Sequence, residues 1–123
     1  MSTSQPTIAI VGAGIGGLAV SACLRKRGIE TTIYEQAPAF ARIGAGIQMS
    51  PNAMRVLYGI GVGEFIRRTA FEPPHWRNRD YDTGNLTNDH PLGPDAFDRY
   101  GVPYILMHRG DLHAALHGAV PDK

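Results

Sequence analysis

A chain of 123 residues accommodates one domain and excludes several complete ones. Twelve Lys and Arg stand against eleven Asp and Glu, a net charge of +1, so bulk charge would hold neither nucleic acid nor a membrane, and any anion must be bound locally. The lone cysteine, Cys23, excludes an internal disulfide framework and a multi-thiolate metal site and points to a reducing cytoplasm. Met1 to Pro6 is polar without a basic region, and the apolar run after it is short and broken by glycines, which reads neither as a signal peptide nor as a membrane span.

The first element is Thr7 to Val11, a β-branched run of the kind found in a strand buried on both faces. A glycine-rich turn leads into an apolar helix from Ile15 to Arg27, with Arg25, Lys26 and Arg27 at the end where the helix dipole favours cations and Gly28 as the stop. Thr31 to Glu35 is again β-rich, completing a right-handed βαβ unit. An irregular stretch, Gln36 to Ile43, precedes a helix start in which Ser50 is the N-cap and Pro51 the first helical residue, with a stop near Gly59 or Gly61. A short helix is expected over Gly63 to Arg68. Residues 75–92 read as a hairpin or extended excursion with a turn at Asp82-Thr83-Gly84. A helical turn at Asp95 to Tyr100, a strand over Val102 to Met107 and a helix from Asp111 to Gly118 follow. The expected fold class is therefore α/β, a Rossmann-like βαβ unit in which the three strands form one parallel sheet with an exposed edge, and such an edge invites self-association.

Gly12, Gly14, Gly16 and Gly17 fall where the first strand passes into the first helix, which sets backbone N–H groups and a positive helix end against a pyrophosphate. Gly12 serves the tight turn, Gly14 the close approach of phosphate and Gly17 the packing of helix on strand. Glu35, 21 residues after Gly14, ends the second strand where a carboxylate accepts both ribose hydroxyls of an adenosine and disfavours a 2′-phosphate. These residues imply a bound dinucleotide and leave NAD and FAD open.

Three stretches together resemble the class A flavoprotein aromatic hydroxylases: IAIVGAGIGGLAV at Ile8 to Val20, RIGAGIQMSPNAMRVL at Arg42 to Leu57, and HRGDLHAAL at His108 to Leu116. The run from Asp82 to Leu112 is most similar to the branch acting on 6-hydroxynicotinate, with the salicylate hydroxylases nearby. The resemblance implies FAD as cofactor, NADH or NADPH as a transient reductant, and a small aromatic acid and O2 as substrates. It places Gly14, Gly16 and Gly17 at the pyrophosphate, Glu35 at the ribose, Gln36 on the adenine side, Arg42 and Gln48 toward the flavin, and Arg109 on the dinucleotide. Gln48 is also the candidate catalytic residue, standing where some 6-hydroxynicotinate enzymes carry a histidine. Glutamine takes no proton at neutral pH, so either another group is the base or the ring acid differs. Family members are much longer, and the chain reads as the N-terminal part of the FAD-binding domain, without the substrate sheet and second flavin motif and not expected to turn over alone. A stand-alone NAD or FAD module without catalysis is the alternative.

Other signals favour plainer readings. His113 and His117, four apart, with His108 before them, lack an evident third metal ligand at defined geometry. The Asp82-Thr83-Gly84 triplet lies among polar residues, unlike an aspartic protease site. Arg67, Arg68, Arg77 and Arg79 are interleaved with Glu72, Asp80 and Asp82, which reads as a solvated face and not a nucleic-acid surface. Cys23, inside the apolar helix, reads as a buried small hydrophobe.

Overall fold

The computed structural model describes residues 7–41 and 44–120. Strand β1 (Ile8–Val11) pairs in parallel with β2 (Thr31–Tyr34), Ile8 opposite Thr31 and Val11 opposite Tyr34, and helix α1 (Ile15–Arg25) makes the crossover. The helix ends two residues before the expected Arg27, and the chain reverses at Gly28, whose φ of 77° suits glycine. Leu18 and Ala22 bury its inner face, while the Ser21 and Thr31 hydroxyls share a buried 2.6 Å hydrogen bond that ties α1 to β2. Cys23 is half-buried. Burial of β1 on both faces is not observed: Ile8 and Ile10 are half-buried, but Ala9 and Val11 are exposed, Val11 by 91%. Only the face turned toward the helices is covered.

The expected third parallel strand is corrected by the pairing. Strand β3 (Gly46–Met49) lies antiparallel to β6 (Ile105–His108), Gly46 opposite His108 and Met49 opposite Ile105. On its other edge Leu106 of β6 exchanges both backbone hydrogen bonds with Phe71, at 2.9 and 2.8 Å. With both edges engaged, β6 cannot join β1 and β2, and among the described residues β1 pairs with β2 alone. Ile105 and Met107 instead drop into a core with Leu18, Met54, Ile66 and Leu112.

Helices α2 (Pro51–Ile60) and α3 (Gly63–Thr69) follow β3. Pro51 opens α2 and left-handed Gly61 (φ 93°) closes it, but the Ser50 hydroxyl donates to the Asn52 side-chain oxygen and does not cap a helical N–H. The hairpin β4 (His75–Arg79) and β5 (Leu86–Pro91) is exposed along its whole length. Asp80, rather than Asp82, organises its turn: one carboxylate oxygen accepts from the Asp82 and Thr83 N–H groups and from the Thr83 hydroxyl. Helix α4 (Pro94–Tyr100) leads back to β6, and α5 (Arg109–Gly118) starts directly after it, capped by His108, whose Nδ1 accepts from Gly110 N–H. Leu112, Ala115 and Leu116 seat α5 against α1.

Gly17 meets the first turn at a point where no side chain fits. A methyl group there would lie 2.0 Å from the Gly12 carbonyl oxygen, whereas one at Gly14 would have nothing within 4 Å. Gly17→Ala is therefore expected to destabilise the chain by about 1–3 kcal/mol through overpacking, and Gly14→Ala by less than about 1 kcal/mol, the helix N-cap preference alone. Urea midpoints of the two variants check this, and equal losses would contradict it.

Candidate cofactor site

The end of β1, the start of α1, the end of β2 and one face of α5 enclose a cleft of about 600 Å³, lined by Ala13, Gly14, Glu35, Phe40, Arg109 and His113 among others. That volume is within the range of small-molecule and cofactor sites, about 300–1,000 Å³. The turn is made by Gly12 at φ 98°, with its N–H bonded to the Tyr34 carbonyl at 2.7 Å. Gly14 is the N-cap of α1, and neither a side-chain cap nor an acidic residue occupies the first helical turn. The amides and positive dipole at that end are thus left for an anion. Gly14 and Gly16 are exposed, with open space where a Cβ would stand.

Glu35 immediately follows β2. Its Oε2 accepts from Ala13 N–H at 2.7 Å and its Oε1 from Ala37 N–H at 2.9 Å, so the carboxylate is oriented by the backbone on both sides. Those bonds, Ala37 first and Ala13 next, hold its pKa below the ordinary 4.5, and the charge of His113 acts in the same direction. Each oxygen keeps a lone pair for a further donor such as a ribose hydroxyl.

Arg109 reaches the cleft from the first turn of α5, its N–H bonded to the Ala45 carbonyl at 3.1 Å. Its stem lies across Gly44, where an added Cβ would come within 3.2 Å of Arg109 Cδ and where φ is 126°. Gly44 thus leaves room for the arginine to lie over the loop. His113, one helical turn further along α5, has Nε2 2.7 Å from the Ala13 carbonyl, and its ring packs on Phe40 with centroids 4.7 Å apart. His117 stacks parallel to it and also touches Phe40. Among the described residues no group of three His, Cys, Asp or Glu could hold a metal ion.

The cleft gathers Gly14, Glu35 and Arg109, with Gly12 in the same turn and Gly16 and Gly17 in the first turn of α1. Gln36 is exposed and does not line it, and Arg42 lies outside the described residues. Gln48 is separate from it, exposed on β3, with Oε1 accepting from the Tyr104 hydroxyl at 2.9 Å. Tyr104 is only 8% exposed, and burial pushes its phenol pKa up, so it stays a protonated donor at neutral pH. Trp76 meets the Tyr104 ring edge-on at 6.3 Å. The sequence gives no sign of Tyr104 as a site residue, and reads His113 as an exposed or cavity-lining histidine with no specific partner. The four-residue step from Arg109 to His113 was the available signal for the latter. The arginines expected to form a solvated face are in part paired with acids, Arg67 with Glu72 at 2.6 Å and Arg77 with Asp89 at 3.1 Å.

The model of the FAD binding domain matches residues 5–114. The chain belongs to that family. It is 42% identical to the 6-hydroxynicotinate 3-monooxygenase of Pseudomonas fluorescens over 98% of its own length and 31% of that protein. It is also 42% identical to the 3-amino-4-hydroxybenzoate 2-monooxygenase of Streptomyces cremeus, over 93% of this chain and 29% of the other. In fold it is similar to 2-methyl-3-hydroxypyridine-5-carboxylic acid oxygenase, with a TM-score of 0.79 and 23% identity over 95% of this chain and 29% of that one. The chain thus spans under a third of the length of the curated relatives it matches. Among its described residues no helix is long and apolar enough to cross a membrane.

The Glu35 geometry sets a pH dependence. Because the folded pKa is lowered, the bonds to Ala13 and Ala37 are fully present above the ordinary value near 4.5 and are lost as pH falls through the lower folded value. The amide proton shifts of Ala13 and Ala37, followed by NMR, are expected to move together with an inflection below pH 4.5 and to lose that inflection in Glu35→Gln. An inflection at or above 4.5 would contradict the assignment.

Proposed function

We propose that this chain is the cofactor-binding N-terminal part of a cytoplasmic FAD-dependent monooxygenase that uses NADH or NADPH and O2 to hydroxylate an aromatic or pyridine carboxylate, with 6-hydroxynicotinate the first substrate to test. The observation that carries this is one cleft flanked by an uncapped helix N-terminus, a backbone-oriented carboxylate and an arginine, in a chain of the FAD-binding family. The residues fit the dinucleotide: the glycine turn receives the pyrophosphate, Glu35 takes the adenosine ribose with Gln36 beside the adenine, and Arg109 holds the dinucleotide through a charge-assisted fork. Arg42 would approach the flavin side.

FAD, when bound, would supply the redox chemistry: two electrons from the nicotinamide reduce O2, one oxygen atom entering the ring in place of a hydrogen, or of the carboxyl group lost as CO2 in the 6-hydroxynicotinate case, and the other leaving as water. The protein's part is to orient the ring, exclude water and hold the substrate's polar groups. Gln48 has one lone pair of its oxygen engaged by Tyr104 and both N–H bonds of its amide available, and it holds an acceptor on the substrate instead of removing a proton. Trp76 and Tyr104 supply an aromatic wall beside it. The open edge of β1 is a surface through which copies of this isolated chain would associate.

The direct test is addition of FAD, then of NADH with 6-hydroxynicotinate, to the full-length protein, with flavin fluorescence and oxygen uptake as readouts. Quenched flavin with substrate-stimulated oxygen uptake is expected, and an unaltered flavin signal would refute the reading. Arg109→Lys keeps the charge but loses the planar fork, and should weaken FAD by about 1–2 kcal/mol without changing the melting temperature. A surface arginine would respond by far less, since exposed pairs contribute about 0–1 kcal/mol. Gln48→Glu should retain FAD and raise KM for the aromatic acid by about tenfold or more, a carboxylate replacing the donor.

A further inference from the structure

We propose that His113 is a positioning residue for the dinucleotide turn, clamping the Ala13 peptide together with Glu35 so that the turn holds its phosphate-receiving shape before FAD arrives. The inference rests on the reading of this turn as the cofactor site and goes beyond it by assigning a role to a side chain that acts through the Ala13 peptide.

Ala13 sits between Gly12 and Gly14, the two most permissive residues of the turn. Without restraint, a Gly-Ala-Gly segment samples many conformations, and the cost of ordering it falls on ligand binding. Here both polar groups of Ala13 are engaged by side chains from distant parts of the chain. Its N–H donates to Glu35 Oε2 at 2.7 Å, and its carbonyl accepts from His113 Nε2 at the same distance. A carbonyl only accepts, so Nε2 carries the hydrogen. Ala13 itself is 5% exposed, and a buried carbonyl left without a donor would be costly.

The clamp is held rigidly at both ends. Glu35 is fixed by its second bond, to Ala37 N–H. His113 stands on α5, whose neighbouring Leu112 and Leu116 are 0% and 1% exposed, and its ring is packed on Phe40. A group carried on a helix and locked by packing positions more precisely than one on a loop. Arg109 and His113 lie four residues apart on the same face of α5. The helix that brings a cation to the cleft therefore also sets the geometry of the glycine turn opposite. If the unclamped turn held the competent shape one-tenth of the time, the apparent Kd for FAD would rise about tenfold.

The test compares His113→Leu, which removes the donor, with His113→Gln, whose longer amide can still present an N–H to the Ala13 carbonyl, in the full-length protein. His113→Leu is expected to raise the FAD Kd by about tenfold and to speed hydrogen exchange of the Ala13 amide by a similar factor, although that amide is bonded to Glu35 and not to residue 113. His113→Gln should restore both to within about threefold of the parent, with little change in the melting temperature of the FAD-free protein. Should the leucine variant fail to fold, His113→Asn, polar but too short to reach, takes its place with the same expectation. Unchanged Ala13 exchange in the donor-less variant overturns the proposal, as does an FAD loss that glutamine does not rescue and that follows a fall in melting temperature. If the parent protein proves not to bind FAD, the functional reading fails while the exchange measurement still decides whether His113 clamps the turn.

Discussion

The Gly17 backbone lies so close to the Gly12 carbonyl that even a methyl group would not fit between them, and this contact sets the angle at which α1 leaves β1. Everything at the cleft is built outward from it. Because only Gly12, Ala13 and Gly14 separate the strand from the helix, the Ala13 amide stands beside the end of β2, bonded to the carboxylate that follows Tyr34. A bulkier residue at 17 would push the helix axis away and separate the anion-receiving end from Glu35. The Ser21 to Thr31 hydrogen bond and the Arg25 guanidinium on the Thr31 carbonyl, 2.8 Å away, hold the far end of the same helix against the start of β2. The βαβ unit is thus tied at both ends by polar contacts, with Leu18 and Ala22 packed between them.

A second support comes from a part of the chain remote in sequence. The β3–β6 ladder places the end of β6 beside Gly46, and α5 starts there with no intervening loop. The direction of α5 is consequently fixed by the ladder, by the His108 cap and by its buried leucines, and this direction carries Arg109 and His113 to the glycine turn. The two halves of the cleft are connected by packing of α1 on α5 and by the Ala13 peptide itself, which is bonded to both.

Local signals made much of this legible in the sequence. The glycine spacing and the acid after the second strand gave the turn and the βαβ unit, because each of those residues answers to a backbone requirement within some thirty positions. Ser50-Pro51 marked the start of α2, and the hairpin was marked by its turn residues. What failed were long-range features. Gly46–Met49 is four residues long and includes a glycine, too weak a pattern to announce a strand, and without it β6 was assigned to the wrong sheet. The Tyr104 to Gln48 bond was hidden for the same reason. Residues 48 and 106 face each other across the ladder, so Tyr104 is the diagonal neighbour of Gln48, a relation visible only once the antiparallel register is known. The expected two-sided burial of β1 failed because a β-branched run shows what a strand can bury, not what covers it.

On the proposed reading of Gln48 as a substrate contact, its bond to Tyr104 sets which groups it favours. An exposed glutamine free at both amide atoms would accept or donate with equal ease and discriminate weakly. With one lone pair of its oxygen held by a buried phenol that stays protonated at neutral pH, the amide is oriented and keeps both of its N–H bonds for a partner. That polarity suits a carboxylate or an ionised ring oxygen and disfavours a group that can only donate, such as an ammonium, whose N–H bonds would be opposed. A substrate that arrives already as the anion would need no base at this position.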